Sequence, residues 1–120
     1  MLEIGGAPGA AAREVARRIG PAGHVLVLDR SPAGVELTRR TCAAEIEAGL
    51  LSTLCAPVES FSLAPSIPPF DLAFACRVGA LDGRHPRLYA AALANIAAAL
   101  SAEGRLFVDT GDPMREITLR

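Results

Sequence analysis

The amino-acid sequence predicts an α/β fold, in which a mostly parallel β-sheet carries helices on both faces. Short apolar runs alternate along the chain with amphipathic, alanine-rich runs, the order expected when parallel strands are joined by helices. The run at positions 24–28 is almost entirely apolar, as in a strand buried on both faces of a parallel sheet. Right-handed connections then place helices on both faces, and a ligand is expected beyond the carboxyl ends of the strands.

The strands are predicted where short apolar runs are bounded by turn residues. They lie at positions 1–4, 24–28, 50–55, 70–76 and 105–109. The connection at positions 56–69 contains four prolines, which prevent a long helix, so this crossover is predicted to be mostly loop.

The helices are predicted from apolar faces and end signals. Positions 10–19 place alanine, valine and isoleucine on one face, and Gly20 follows as a stop. The Ser31-Pro32 pair suits the start of a second helix, which continues to Gly49. A third helix is predicted at positions 86–101, where large apolar residues recur every three or four positions.

The composition describes one globular domain, which we expect to cover positions 1–120. Hydrophobic residues make up 51% of the chain and charged residues 21%, which excludes intrinsic disorder. Every apolar run is too short to cross a membrane, so no membrane partner is expected. A net charge of −1 argues against bulk binding to nucleic acid.

The cysteines carry little functional information. Cys42, Cys55 and Cys76 are widely spaced, form no CxxC pattern and have no histidine at ligand spacing, so no metal site is predicted. Unpaired cysteines suit a reducing compartment, and no secretory signal pattern is present. We therefore expect a cytoplasmic protein.

The most informative segment, at positions 2–9, joins the end of a strand to a glycine-rich turn and the start of a helix. Glycine allows a tight turn and a close approach of backbone to ligand, and the helix start offers unpaired N–H groups. Asp29 ends the second strand, 24 residues after Gly5. A carboxylate there can accept hydrogen bonds from both ribose hydroxyls of an adenosine-type cofactor.

At this point the chain resembles the class I S-adenosylmethionine-dependent methyltransferases, whose first motif reads acidic-x-Gly-x-Gly-x-Gly. Positions 3–9 read Glu-Ile-Gly-Gly-Ala-Pro-Gly, and the resemblance continues in order through positions 27–32, 70–74 and 104–108. It implies a three-layer Rossmann-like sandwich of about five strands in the order 3-2-1-4-5, without the last two strands of the family. Ala7 stands in place of the middle glycine, and the first strand starts at Met1, so we expect a shortened core.

The resemblance implies S-adenosylmethionine as the cofactor. The residues implied to bind it are Glu3, Gly5, Gly6, Ala7, Gly9, Asp29, Arg30, Val58, Glu59, Cys76 and Arg77. The glycine-rich segment would border the methionine and ribose portions, with Glu3 beneath it. Asp29 would bind the ribose hydroxyls, and Arg30 would lie against the adenine.

The later members of this set follow the third and fourth strands. Val58 and Glu59 would contact the adenine amino edge, and Cys76 and Arg77 would lie beside the reactive methyl group. Simpler interpretations remain open: Glu59 as a solvated loop charge, Cys76 as a packing residue, and Asp29 as part of the cap of the second helix.

Methyl transfer from a sulfonium is an in-line substitution, so alignment supplies much of the rate and a base is needed only when the acceptor must lose a proton. Asp82 and His85, before the third helix, are the candidate bases; the alternative is a turn that leads into that helix. Asp109 and Asp112 are candidate contacts to the acceptor. Positions 76–79 lack the Pro-Pro-aromatic pattern of nucleobase amino methyltransferases.

Three hypotheses follow. The first is a methyltransferase that acts on a small-molecule acceptor. The second is a nicotinamide-dependent oxidoreductase, since Gly5, Ala7 and Ala10 form a degraded GxGxxG pattern. The third is a truncated cofactor-binding domain or a subunit of a larger complex. The apolar run at positions 106–108 is expected at a free sheet edge, which predicts a homodimer or a partner subunit.

Overall fold

The computed structural model describes residues 1–109 and 115–119, and these form a six-stranded sheet in the order β3-β2-β1-β4-β5-β6. The strands are β1 (Leu2–Ile4), β2 (Val25–Asp29), β3 (Leu51–Cys55), β4 (Phe70–Ala75), β5 (Leu100–Val108) and β6 (Arg115–Ile117). Neighbouring strands from β3 to β5 pair in parallel, and β6 pairs with β5 in the antiparallel direction. The predicted order 3-2-1-4-5 is confirmed, with one additional strand.

The helices lie on both faces of the sheet, as predicted. They are α1 (Ala10–Ile19), α2 (Pro32–Thr41), α3 (Ala43–Glu47) and α4 (Tyr89–Ala99). Alternate residues of β2 point to opposite faces. Val25 and Val27 pack with α1 in one core cluster, and Leu26 and Leu28 belong to a second cluster that includes Ile96 of α4. The chain is therefore a three-layer sandwich.

The crossover between β3 and β4 contains no helix or strand, as its prolines predicted. Phe61 anchors it in the core at 5% exposure. Asn95 of α4 donates a hydrogen bond from Nδ2 to the carbonyl oxygen of Val58 at 3.1 Å. The loop is thus packed into the core cluster that includes Ile96 of α4, and the Asn95 side chain binds it to that helix.

Two helices differ from the predictions. The second predicted helix is divided at Cys42 into α2 and α3, and backbone hydrogen bonds continue across this bend. The Cys42 thiol is fully buried and donates to the Gly9 carbonyl at 3.3 Å. The third begins with a 3-10 turn at Pro86–Leu88 and ends at Ala99. Leu100 is instead the first residue of β5, where it pairs with Phe70 at 4% exposure, because burial and strand pairing override the helix propensity of the alanine-rich run.

The prediction of a free edge at β5 is wrong. Strand β6 pairs along it, with Ile117 opposite Leu106, and both side chains are buried. Arg105 and Glu116 form an ion pair across the two strands at 2.8 Å. An antiparallel return needs only a short connection, which the sequence pattern did not reveal. The predicted homodimer or partner subunit stays a prediction, without a free β5 edge to support it.

Candidate functional site

A cavity of about 390 Å³ lies at the carboxyl ends of β1, β2 and β4. Chain connections leave β1 and β4 in opposite directions, so this is the switch point at which α/β sheets bind ligands. Its volume falls within the roughly 300–1,000 Å³ of small-molecule sites. The predicted site residues that line it are Gly5, Ala7, Asp29, Arg30, Val58, Glu59, Cys76, Arg77 and His85.

Glycine is required at both ends of the loop after β1. Gly5 has φ of +72° and Gly9 has φ of +96°, a region that other residues rarely adopt. A Cβ on Gly5 would lie 3.0 Å from Val78 Cγ2, and one on Gly9 would lie 2.9 Å from Cys42 Sγ. Gly5 therefore packs against the loop after β4. Gly9 is buried against α2 and does not line the cavity.

Glu3 and Gly6 lie behind the cavity wall. The Glu3 side chain is 3% exposed, and its Oε2 has no hydrogen-bond partner within the described part of the chain. A Cβ on Gly6 would come within 2.9 Å of that oxygen. Burial raises the pKa of Glu3 to about 7. Glu3 thus lies beneath the glycine loop with one buried acceptor oxygen that no described residue fills, and its role toward a cofactor stays a prediction.

Asp29 joins the glycine loop to the start of α2. Its Oδ2 accepts a hydrogen bond from the Ala7 N–H at 3.2 Å, and its Oδ1 accepts from the Ser31 N–H at 2.9 Å. The cap of α2 is Ser31, whose Oγ accepts from the Gly34 N–H at 3.1 Å. Each carboxylate oxygen of Asp29 keeps a further lone pair, so two ribose hydroxyls can still bind there.

Gly34 explains why alanine is accommodated at position 7. A Cβ on Gly34 would lie 3.2 Å from the Ala7 Cβ and 3.0 Å from Asp29 Oδ2. The methyl group of Ala7 thus fits because the facing helix carries no side chain at this point. The sequence feature that could have indicated this space is Gly34 itself, because glycine is unfavourable in the first turn of a predicted helix.

In the loop after β4, a residue other than glycine has a left-handed conformation, and side chains hold it there. Arg77 has φ of +55°, and its N–H donates to both carboxylate oxygens of Asp109, at 3.0 and 3.1 Å. Its carbonyl accepts from Nη2 of Arg84 at 2.9 Å. Asp109, which was predicted to contact the methyl acceptor, accepts hydrogen bonds from the backbone N–H of Arg77. Asp112, also predicted as such a contact, lies outside the described residues.

The two candidate bases are placed differently. Asp82 forms an ion pair with Arg84 at 2.8 Å, the hydrogen bond to Arg84 lowers its pKa, and it does not line the cavity. His85 does line the cavity, and its ring lies close enough to Gly79 that a Cβ there would meet Cδ2 at 2.6 Å. His85 is thus the candidate base that can reach a substrate. Burial raises the pKa of the Cys76 thiol, which favours its neutral form.

A family model described as a methyltransferase domain matches residues 1–104. The chain belongs to this methyltransferase family. The match covers the glycine loop, Asp29 and the loop after β4, so the resemblance noted from the sequence motifs is confirmed. It also favours a methyltransferase over the nicotinamide-dependent oxidoreductase. A search of curated protein sequences finds no match to this methyltransferase domain.

Solved structures share the fold. The CcbJ methyltransferase from Streptomyces caelestis superposes with a TM-score of 0.73 at 17% identity, over 89% of this chain and 41% of that one. CalS10, an amino pentose methyltransferase from Micromonospora echinaspora with S-adenosylmethionine bound, gives 0.72 at 22% identity, over 90% and 41%. The [4+2]-cyclase SpnF gives 0.68 at 23% identity, over 89% and 36%. The methyltransferase domain thus spans about two fifths of these proteins or less.

Within residues 1–109 and 115–119, no helix combines the length and apolarity needed to cross a membrane. In the same part of the chain, histidine, cysteine and carboxylate side chains do not gather in groups of three that could hold a metal ion.

Proposed function

We propose that this domain binds S-adenosylmethionine in the switch-point cavity and transfers its methyl group to a small-molecule acceptor. The observation that carries the proposal is the placement of Asp29, a buried carboxylate at the end of β2 beside the glycine loop. This is the position from which a ribose diol can be bound in a doubly wound sheet.

The adenosine portion would extend from Asp29 toward the loop after β3. Val58 is 5% exposed, lines the cavity and is held through its carbonyl by Asn95. It offers an apolar surface to the adenine, with Glu59 next to it for the amino edge. Arg30 lines the same part of the cavity and can lie over the ring.

The methionine portion would pass between the glycine loop and the loop after β4. Glu3 has an unpartnered oxygen beneath this path, which can accept a hydrogen bond from the ammonium group directly or through water. When bound, S-adenosylmethionine supplies an activated methyl group. The protein then has to align the acceptor and exclude water, and His85 is available where the acceptor must lose a proton.

Two observations favour a small molecule as the methyl acceptor. A net charge of −1 disfavours bulk nucleic acid, and the similar protein CalS10 is named as an amino pentose methyltransferase. A small molecule in the cytoplasm is the acceptor that we propose. The shared fold with SpnF, named as a [4+2]-cyclase, favours a second candidate function: a domain that does not transfer a methyl group.

The test is calorimetric titration of S-adenosylmethionine into the purified chain, with NADH titrated in parallel. We expect binding of S-adenosylmethionine alone, and a loss of affinity of about tenfold or more in Asp29→Asn, as one charged hydrogen-bond partner is weakened. Asp71→Asn is the matched control, because Asp71 is an exposed carboxylate at the opposite end of β4. Equal affinities in all three proteins, or binding of NADH instead, would contradict the proposal.

A further inference from the structure

In the loop after β4, side chains bind both the backbone N–H and the backbone carbonyl of one residue, Arg77. Among the described residues, Arg77 is the non-glycine residue with positive φ. Its N–H is bound by Asp109 and its carbonyl by Arg84, and Asp82 in turn binds the Arg84 guanidinium at 2.8 Å. A left-handed conformation is unfavourable for a residue with a Cβ, so these contacts must outweigh that cost.

Among the three side chains that hold the loop, Asp109 is the one that adjoins the sheet. It directly follows β5, and its N–H donates to the Ala75 carbonyl at 3.2 Å, which extends the pairing of β4 with β5. The sheet therefore fixes the backbone from which its carboxylate extends. Asp82 and Arg84, in contrast, lie in the same loop as Arg77 and can move with it.

The held segment forms a wall of the cavity. Cys76, Arg77, Val78 and Gly79 all line it. The segment also packs on the glycine loop, since a Cβ on Gly5 would lie 3.0 Å from Val78 Cγ2 and 3.4 Å from the Cys76 carbonyl oxygen. A change of φ at Arg77 would move this wall against the loop that faces the cofactor.

We propose that Asp109 is a positioning residue for cofactor binding: it holds the Arg77 backbone in the left-handed conformation and thereby sets the wall formed by residues 76–79. This inference rests on the proposed function, since the affinity concerned is that for S-adenosylmethionine. Charge-assisted hydrogen bonds to a carboxylate are among the stronger ones, which suits them to hold an unfavourable conformation.

A double-mutant cycle tests the proposal. Asp109→Ala is made in the native chain and again in an Arg77→Gly background, because glycine adopts positive φ without a steric cost. We expect Asp109→Ala to weaken S-adenosylmethionine binding about tenfold in the native chain and less than threefold in the Arg77→Gly background. A purely structural effect of Asp109 would give equal losses in both backgrounds, and that result, or no loss in either, would overturn the proposal.

Amide hydrogen exchange supplies a readout that needs no ligand. The Arg77 N–H should be protected in the native chain and should lose its protection in Asp109→Ala, while Asp71→Asn leaves it unchanged. An unprotected Arg77 N–H in the native protein would also overturn the proposal. If the native chain bound no S-adenosylmethionine while Arg77 was protected, the proposed function would fail, and the role of Asp109 would be limited to the conformation of the loop.

Discussion

The loops after β1 and after β4 meet at the same edge of the sheet, yet they reach left-handed backbone conformations by different means. In the loop after β1, glycine occupies both positions, Gly5 and Gly9. In the loop after β4, Gly83 takes one such position, but Arg77 takes another and is held by Asp109, 32 residues away in the chain, and by Arg84. One conformation follows from the local sequence, and the other depends on a distant side chain.

This difference predicts how each loop responds to change. The glycine loop is limited by steric contacts, so substitutions there should cost stability under all conditions. In the loop after β4, the Arg84 side chain is 59% exposed, so water screens its ion pair with Asp82 and the pair contributes little, whereas the Asp109 carboxylate binds the Arg77 N–H directly. The three changes below, in order of decreasing effect, test or qualify this comparison.

Gly9→Ala should have the largest effect. The residue has φ of +96°, and its Cβ would lie 2.9 Å from Cys42 Sγ and 3.0 Å from Thr38 Cγ2. Conformational strain and overpacking together should lower the free energy of unfolding by roughly 3 kcal/mol, measured by urea denaturation. Gly49→Ala is the control, with φ of +79° and no atom within 4 Å of the new Cβ. It should cost about 1 kcal/mol. Equal costs would show that packing against α2 is unimportant.

Glu3→Gln should remove a pH dependence of the free energy of unfolding. This dependence arises beneath the glycine loop from a buried carboxyl group and not from steric contacts. Burial raises the pKa of Glu3 from 4.5 to about 7 in the folded chain. The folded state therefore keeps its proton over a range in which the unfolded chain has lost it, so stability falls as pH rises from about 4.5 to about 7.

The difference between a pKa of 4.5 and one of about 7 corresponds to about 3 kcal/mol, which sets the size of this fall. Urea denaturation at several pH values should show it in the native chain and not in Glu3→Gln, because an amide does not titrate. The difference between the two proteins isolates Glu3 from other groups. Parallel pH profiles for the two would rule out a buried, proton-binding Glu3.

Asp82→Asn should have the smallest effect. The hydrogen bond to Arg84 lowers the pKa of Asp82, so the ion pair contributes above the ordinary pKa of 3.8 and is lost as pH falls below it. The Arg84 side chain is 59% exposed, and water screens the pair. We expect a change in the urea midpoint close to experimental error at neutral pH. A loss comparable to that of Gly9→Ala would show that the ion pair of Asp82 with Arg84, rather than Asp109, is the main support of the loop after β4.

Much of the candidate site could be predicted from the sequence, because the information is local. The glycine-rich segment comes directly after β1, and Asp29 is the last residue of β2. Parallel strands bring their carboxyl ends to one edge of the sheet, so the two are expected to lie close together. The cavity accordingly contains Gly5, Ala7 and Asp29. Gly9 was predicted as a cofactor contact, and the structure places it against α2 instead, where it allows two helices to approach closely.

The alternation of apolar runs with amphipathic runs determined by itself the α/β class, the positions of most strands and the glycine loop, because strand and helix periodicity are properties of neighbouring residues. Only the tertiary structure decided three features: the extension of β5 back to Leu100, its covering by β6, and the contact between Asp109 and Arg77. Each depends on burial or on pairing with another strand or loop, which the pattern of neighbouring residues does not encode.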